Sequence, residues 1–331
     1  MDVTGGDGPP VIRTRGLTKV YPRVRALDGL DLQIGPGVTG LVGANGAGKS
    51  TLIKVLLGLL APTSGEAQVL GHDVAREGRA IRARVGYMPE HDCLPGDVNA
   101  SEFTVHMGRM AGLPHVVARE RAADVLRHVG LAEERYRDMG TYSTGMRQRA
   151  KLAQALVHDP DLIMLDEPTN GLDPASRDEM LGLVRRIGSD FGITVLVTSH
   201  LLGELERVSD HVVVLDGGHL LRSSATSDYV ERTGSLLVEV LGGATERDLL
   251  GNALAAHGLV CHPVDGSVEI TPGGLWAVDP EASAQTTQQQ ERAIRDLVRD
   301  TVIDLDLGLV RVQDGRHRIQ DVFQTREVAP R

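Results

Sequence analysis

One short segment combines a flexible loop with a reactive end. Gly43-Ala-Asn-Gly-Ala-Gly-Lys49-Ser50 fits the pattern Gly-x-x-x-x-Gly-Lys-Ser/Thr. Side chains this small let the backbone N–H groups of Gly43, Ala44, Asn45, Gly46, Ala47 and Gly48 turn inward and cradle phosphate oxygens. A helix starting at Gly48, with Thr51 in its first turn, adds the positive end of its dipole. The Lys49 ammonium reaches the terminal phosphates, and the Ser50 hydroxyl is a ligand for Mg²⁺. Such a loop holds a nucleoside triphosphate, ATP or GTP.

A second group closes an apolar run. In Leu162-Ile-Met-Leu-Asp166-Glu167 two carboxylates follow aliphatic residues. Neighbouring strand side chains point to opposite faces, so the two acids take different work. Asp166 is placed to hold a magnesium shell, and Glu167 to polarise a water aimed at the γ-phosphate, as a general base does. Alone, an acidic end before Pro168 reads as a solvated strand terminus. The phosphate loop upstream favours the chemical reading. His200 follows Ile193-Thr-Val-Leu-Val-Thr-Ser199, where its imidazole can donate to a γ-phosphate or to the attacking water.

These groups need strands and helices to aim them. Residues 38–43 read as a buried strand, and 49–60 as a helix stopped by the turn 62–65. A short strand is expected at 85–88. Helical periodicity runs over 101–130 with a break at Pro114, and a further helix spans 145–157, ended by Pro160. Strand 162–165, helix 175–187 and strands 193–198 and 211–215 follow. The alternation predicts an α/β layer fold with a largely parallel sheet, whose ligands sit at the carboxyl ends of its strands. Past residue 225 the order changes: strand 235–241, helix 245–257, strands 259–263 and 267–271 about Gly266, an extension at 276–278, helix 288–300, strand 305–312 and a last helix 319–325. That β-α-β-β-α-β order is the ferredoxin-like plan. Residues 1–10 read as a disordered polar tail, 11–225 as the main domain with a helical subdomain at about 90–158, and 226–331 as an α+β accessory domain.

Composition excludes several classes. A net charge of −10 argues against a general nucleic-acid binder, which needs a basic surface. The two cysteines, Cys93 and Cys261, lie far apart in unlike contexts and give neither a disulfide framework nor metal spacing. No apolar run reaches the ~18 residues of a membrane span, and the N-terminus lacks the pattern of a signal peptide.

Together these residues resemble the ATP-binding cassette (ABC) proteins. The diagnostic piece is Tyr142-Ser-Thr-Gly-Met146-Arg-Gln-Arg, similar to the family's Leu-Ser-Gly-Gly-Gln signature and placed at the start of helix 145–157. The resemblance covers roughly residues 11–225. It implies a P-loop cassette whose cofactors are ATP and Mg²⁺. It implies that Ser143 and Gly145 of one subunit close over the ATP of the other, in a two-fold pair of ATPase subunits. Tyr21, in Leu17-Thr-Lys-Val-Tyr21, sits where the family stacks an aromatic on adenine; an edge-strand tyrosine is the competing reading. Asn170-Gly-Leu-Asp173 looks like the segment that touches the second subunit, with Asp173 at the nucleotide. Glu90, in Val85-Gly-Tyr-Met-Pro-Glu90, occupies the position of a family glutamine and joins Ser50 and Asp166 as an expected metal ligand.

The glutamate at 90, the form of the signature and the closing Ile319-Gln-Asp-Val-Phe323 resemble the branch paired with drug, antibiotic or polysaccharide exporters. That branch implies a cytoplasmic subunit, peripheral on the inner face of the cell membrane, driving a polytopic permease on a separate chain. The permease is expected against residues 90–110, where Asp97, Phe103 and Met107 lie, with core packing the competing reading of the last two. Other readings are a cassette ATPase acting on ribosomes or DNA, an importer subunit, and a non-hydrolysing module. One cassette without a heptad run disfavours the first, the C-terminal domain the second, and Glu167 with His200 the third.

Overall fold

The computed structural model describes residues 10–226, 232–264, 266–271 and 284–316, and the chain divides into two compact units, Met1–Ser227 and Asp228–Arg331. The tail before Pro10 and the segments 276–278 and 319–325 lie outside the described residues.

In the first unit Ile12–Tyr21 (β1) and Val24–Ile34 (β2) form an antiparallel pair. With Ser64–Val69 (β4) and His72–Asp73 (β5) they make a sheet in the order β2-β1-β4-β5. Beyond the edge-strand reading of Tyr21, sequence periodicity does not show this sheet. Register shifts between Thr14 and Leu17, and again around Lys19, break the alternation that marks a strand.

The second sheet contains Val38–Val42 (β3), Val85–Met88 (β6), Leu162–Leu165 (β7), Thr194–Ser199 (β8), His211–Asp216 (β9) and His219–Ala225 (β10), in the order β10-β9-β3-β8-β7-β6. β9, β3, β8, β7 and β6 pair in parallel, and β10 closes the edge antiparallel to β9. Every residue of β3, β7 and β8 is buried, as strands covered on both faces require. Lys49–Leu56 (α1) follows β3 directly. It ends four residues short of the expected 49–60, because the chain turns through Gly58 at φ 63° while Leu59 and Leu60 both donate to the Lys54 carbonyl. Gly78–Arg84 (α2) precedes β6. Ala100–Met110 (α3) is capped by Asn99, whose side chain accepts from Glu102 N–H at 2.9 Å, and Pro114 opens His115–His128 (α4). Thr144–Leu156 (α5) begins at the signature, Pro174–Ser189 (α6) follows β7, and Leu202–Leu205 (α7) follows β8.

The second unit pairs Arg232–Val240 (β11), Val260–Val264 (β12), Ser267–Thr271 (β13) and Leu309–Arg316 (β14) in the antiparallel order β12-β13-β11-β14. With Ala244–Ala256 (α8) and Ala284–Asp304 (α9) this is the ferredoxin-like arrangement. Leu250 and Leu254 of α8, and Ile294, Val298 and Val302 of α9, recur every four residues and share one core with Val238, Val268 and Ile270 of the sheet. The last strand starts at Leu309 instead of 305. Leu305 and Leu307 still donate back to Thr301 and Val302, and Asp306 takes φ 53° to end the helix. Among the described residues no helix is long and apolar enough to cross a membrane.

Candidate functional site

The glycines of the phosphate loop are held by close approach. A Cβ on Gly43 would lie 2.6 Å from the Leu215 carbonyl oxygen, and one on Gly48 2.4 Å from that of Ala26. Gly48 also has φ 105° at the N-cap of α1, a backbone state open to glycine. The loop therefore sits between the ends of β3, β9 and β2, with α1 aimed outward. Tyr21, Ala44, Asn45, Gly46, Ala47, Gly48, Lys49, Ser50, Thr51, Glu90 and Glu167 line a single cleft of about 360 Å³. These residues come from four separate segments of the sequence, and the fold brings them together. Tyr21 is 38% exposed at the mouth, with the Lys19 ammonium 5.4 Å from its ring centre.

Behind the loop, charges are paired in series. Lys49 Nζ donates to the Gly43 carbonyl at 2.7 Å and stands 3.3 Å from Glu167 Oε1, both side chains being 7% exposed. The other oxygen of Glu167 lies 2.9 Å from His200 Nδ1. Glu167 itself has φ 50°, a left-handed state unusual for a side-chain-bearing residue, which costs about 1–3 kcal/mol and marks functional turns. The fold sustains it: Glu167 N–H donates to Thr198 Oγ1 at 2.9 Å, and Asn170 N–H returns to the Glu167 carbonyl at 3.1 Å.

Asp166 lies on the opposite side of the same turn. Its Oδ1 accepts from Thr198 Oγ1 at 2.9 Å and from Ser50 Oγ at 3.3 Å. Burial pushes its carboxyl up from the usual range, while the hydrogen bonds from Thr198 and Ser50 pull it back. Glu90 lines the cleft opposite, where its Oε1 accepts from Asn170 Nδ2 at 3.3 Å.

Gly43, Asp166 and His200 do not line the cleft but touch residues that do, through Lys49, Ser50 and Glu167, and three expected residues stand apart from this cluster. Ser143 caps α5, accepting from Met146 N–H at 3.3 Å. Asp173 caps α6: Oδ1 accepts from the N–H groups of Ala175 and Ser176, and Oδ2 from Ser176 Oγ at 2.6 Å. The Ser176 contacts, the hydroxyl first, hold the Asp173 carboxyl below its usual range. Gly145 joins the two caps, since a Cβ there would meet Ser176 Oγ at 3.5 Å. The three residues thus share one surface made by the starts of α5 and α6.

Sequence reasoning missed Thr198, Gln148, Lys151 and Glu204. Thr198 is fully buried between the two acids. Glu204 is buried where Thr169 donates to it at 2.7 Å and Ser199 at 3.2 Å, with Arg177 3.1 Å away. Each is a polar side chain in an otherwise aliphatic or helical run, and that contrast was the available signal.

A strand–loop–helix phosphate cradle, facing a buried acid pair with an exposed histidine on Glu167, defines a nucleoside-triphosphate-hydrolysing cassette. Residues 27–170 match the family model described as ABC transporter. The chain is 43% identical over 225 residues to the daunorubicin/doxorubicin resistance ATP-binding protein DrrA of Streptomyces peucetius, covering 68% of each chain. It is 34% identical to the Nod factor export ATP-binding protein I of Ralstonia nicotianae, over 85% of this chain and 86% of that one. Its fold matches a dimeric ATP-binding cassette in a post-hydrolysis state bound to ADP and Pi, with a TM-score of 0.60, 24% identity and coverage of 65% and 98%. This chain belongs to the ABC transporter family, among its ATP-binding and hydrolysing subunits.

Proposed function

We propose that this chain hydrolyses ATP as one of a pair of identical subunits and drives an export permease carried on a separate polypeptide. The observation that carries the proposal is the series Lys49–Glu167–His200, whose first two members line the phosphate cleft. It supplies a cation for the terminal phosphate and a carboxylate whose two oxygens are both engaged. The names of the relatives, a drug-resistance protein and an export protein, support export. The place of the chain in this reading is the inner face of a membrane beside a permease, as membership of the family implies, and its net charge of −10 disfavours a nucleic-acid partner.

The donor set suits Mg²⁺. Ser50 Oγ and Asp166 Oδ1 lie 3.3 Å apart, and Glu90 adds a third hard oxygen on the cleft wall. Among the described residues no three His, Cys, Asp or Glu side chains form a closed metal cage. A magnesium ion that shares phosphate oxygens needs only one or two protein ligands. Bound there, the metal neutralises charge on the phosphates.

The chain's own residues perform the remaining work. ATP enters with adenine against Tyr21 and its phosphates on the N–H groups of the loop. Lys49 then exchanges Glu167 for the terminal phosphate. The freed Glu167 oxygen accepts a proton from water aimed at that phosphate, while His200 holds the other oxygen. The cap surface of Ser143, Gly145 and Asp173 of a second copy covers the phosphate from outside. ATP favours the closed pair because contacts from both copies exist only there. Asp97 is exposed, and Phe103 and Met107 are half-buried on α3, in the region assigned to the permease. Purifying the intact assembly from membranes tests the scheme: a polytopic membrane protein should accompany the chain, and recovery on ribosomes or DNA instead would contradict it.

Tyr21→Ala is expected to weaken ATP binding about five- to 150-fold, the range of about 1–3 kcal/mol for one stacked base. Tyr21→Phe should leave it within twofold or so, since the hydroxyl takes no part in stacking. Fluorescent nucleotide titration checks both. A lower melting temperature with unchanged affinity would return Tyr21 to a plain edge-strand role.

A further inference from the structure

Both ends of Glu90 are held from one helix. Lys151, 3% exposed on α5, donates from Nζ to the Glu90 carbonyl at 2.9 Å. Three residues earlier, on the same face of the helix, Gln148 donates to the Asn170 carbonyl at 3.2 Å. Asn170 in turn donates its side-chain amide to Glu90 Oε1 at 3.3 Å. The main chain of Glu90 is thus fixed directly, and its carboxylate through one intermediary. This helix also carries Ser143 at its cap and Gly145 in its first turn.

The charge balance at this point is unusual. A buried ammonium whose hydrogen-bond partner is a neutral carbonyl needs counter-charge close by. Burial pushes the Lys151 ammonium down from the lysine range, and Cys93, Asp92, Glu90 and Asp166 pull it back. Among the described residues Lys49 and Lys151 are the buried cationic side chains. Lys49 is already paired with Glu167. That leaves Lys151 as the buried cation at the main chain of Glu90.

We propose that Lys151 is a positioning residue for the phosphate cleft: its ammonium fixes the main chain of Glu90 and offsets the carboxylate charge there, tying that carboxylate to the signature helix. This rests on the reading of Glu90 as part of the nucleotide–metal site. A triphosphate entering the cleft meets Glu90 and Glu167 on its wall, with Asp166 buried next to Ser50. With Lys151 present, two lysines stand against three carboxylates; without it, one does. Any shift of α5 on pairing with a second copy also moves Glu90, because Lys151 and the Gln148–Asn170 relay grip it at both ends. The carboxylate at 90 and the lysine at 151 therefore act as one unit, and loss of the lysine should be harmful only while the carboxylate is present.

The test is calorimetric binding of ATPγS to the full chain in EDTA, where charge balance is read without metal. The variants are Lys151→Met, Glu90→Gln and their combination. Lys151→Met is expected to weaken binding about tenfold, and the double variant to return within about threefold of wild type, a coupling normal for residues sharing one network. Lys151→Gln, which keeps a donor for the carbonyl but drops the charge, should fall with Lys151→Met; it also serves if the methionine variant does not fold. ATP turnover with Mg²⁺ should show the same rescue in KM. Equal binding by Lys151→Met and the double variant, or wild-type binding by both Lys151 variants, would overturn the proposal. A Glu90→Gln chain indistinguishable from wild type in EDTA and in Mg²⁺ would instead remove Glu90 from the site, and the inference with it.

Discussion

Glu167→Gln is expected to lower ATP turnover by about 10²–10⁴-fold, the usual contribution of a positioned general base, while ATP still binds as tightly as in wild type or more so. The amide keeps the shape of the carboxylate and its acceptor oxygen but cannot take a proton from water. Its effect on binding follows from the charges. Lys49 stands 3.3 Å from Glu167 Oε1 in the free chain, so an incoming phosphate must compete for it. Removing the negative charge ends that competition and lessens repulsion between the cleft and the nucleotide. The cost falls on the free chain, where a buried lysine loses its ionic partner. Breaking such a pair costs up to about 3–5 kcal/mol, less here because the Gly43 carbonyl still accepts from Nζ at 2.7 Å. The variant should therefore melt earlier than wild type without ATP and regain stability with it. Phosphate release, nucleotide titration and thermal melts report the three effects. Undiminished turnover would take Glu167 out of catalysis.

Lys49→Ala should act on the other side of the same pair. Truncating one member of a buried charged contact costs about 2–5 kcal/mol, so ATP affinity should fall by about two orders of magnitude. The free chain should also lose stability, because Glu167 is left buried beside Asp166 without its cation. Combining Lys49→Ala with Glu167→Gln should therefore destabilise the free chain less than the two single changes add up to. Binding should not recover, since nothing in the double variant replaces the phosphate contact. Urea unfolding of the four chains reads the first statement and nucleotide titration the second. Strict additivity in urea would mean that the two side chains do not interact in solution.

The phosphate loop and the acid pair were legible because each is a local device. A run of glycines before Lys49 and an aliphatic strand before Asp166 carry their meaning within a few residues. Their common cleft follows once β3, β7 and β8 are read as buried neighbours. Thr198 was not legible, because its role depends on register between strands. β7 and β8 pair Leu165 with Val197, and the next step sets Asp166 beside Thr198. Lys151 was hidden for a related reason: on α5 it reads as a solvated helix charge, and only tertiary packing turns it onto Glu90. The sheet of β1, β2 and β4 escaped because its register shifts disrupt the period-two pattern. At β14 the sequence period was right in kind but early, since the backbone turn at Asp306 delays the strand.

In the proposed pair the phosphate loop of one copy meets the signature helix tip of another across ATP. Cross-linking measures it most directly. Asn45 and Ser143 are both exposed in the single chain. In the Glu167→Gln background, with Cys93 and Cys261 replaced by serine, one chain carries Asn45→Cys and the other Ser143→Cys. Mixed and oxidised, the two should form a disulfide-linked pair with ATP and little without it. Bound ATP with no more linked product than in nucleotide-free buffer would contradict the account.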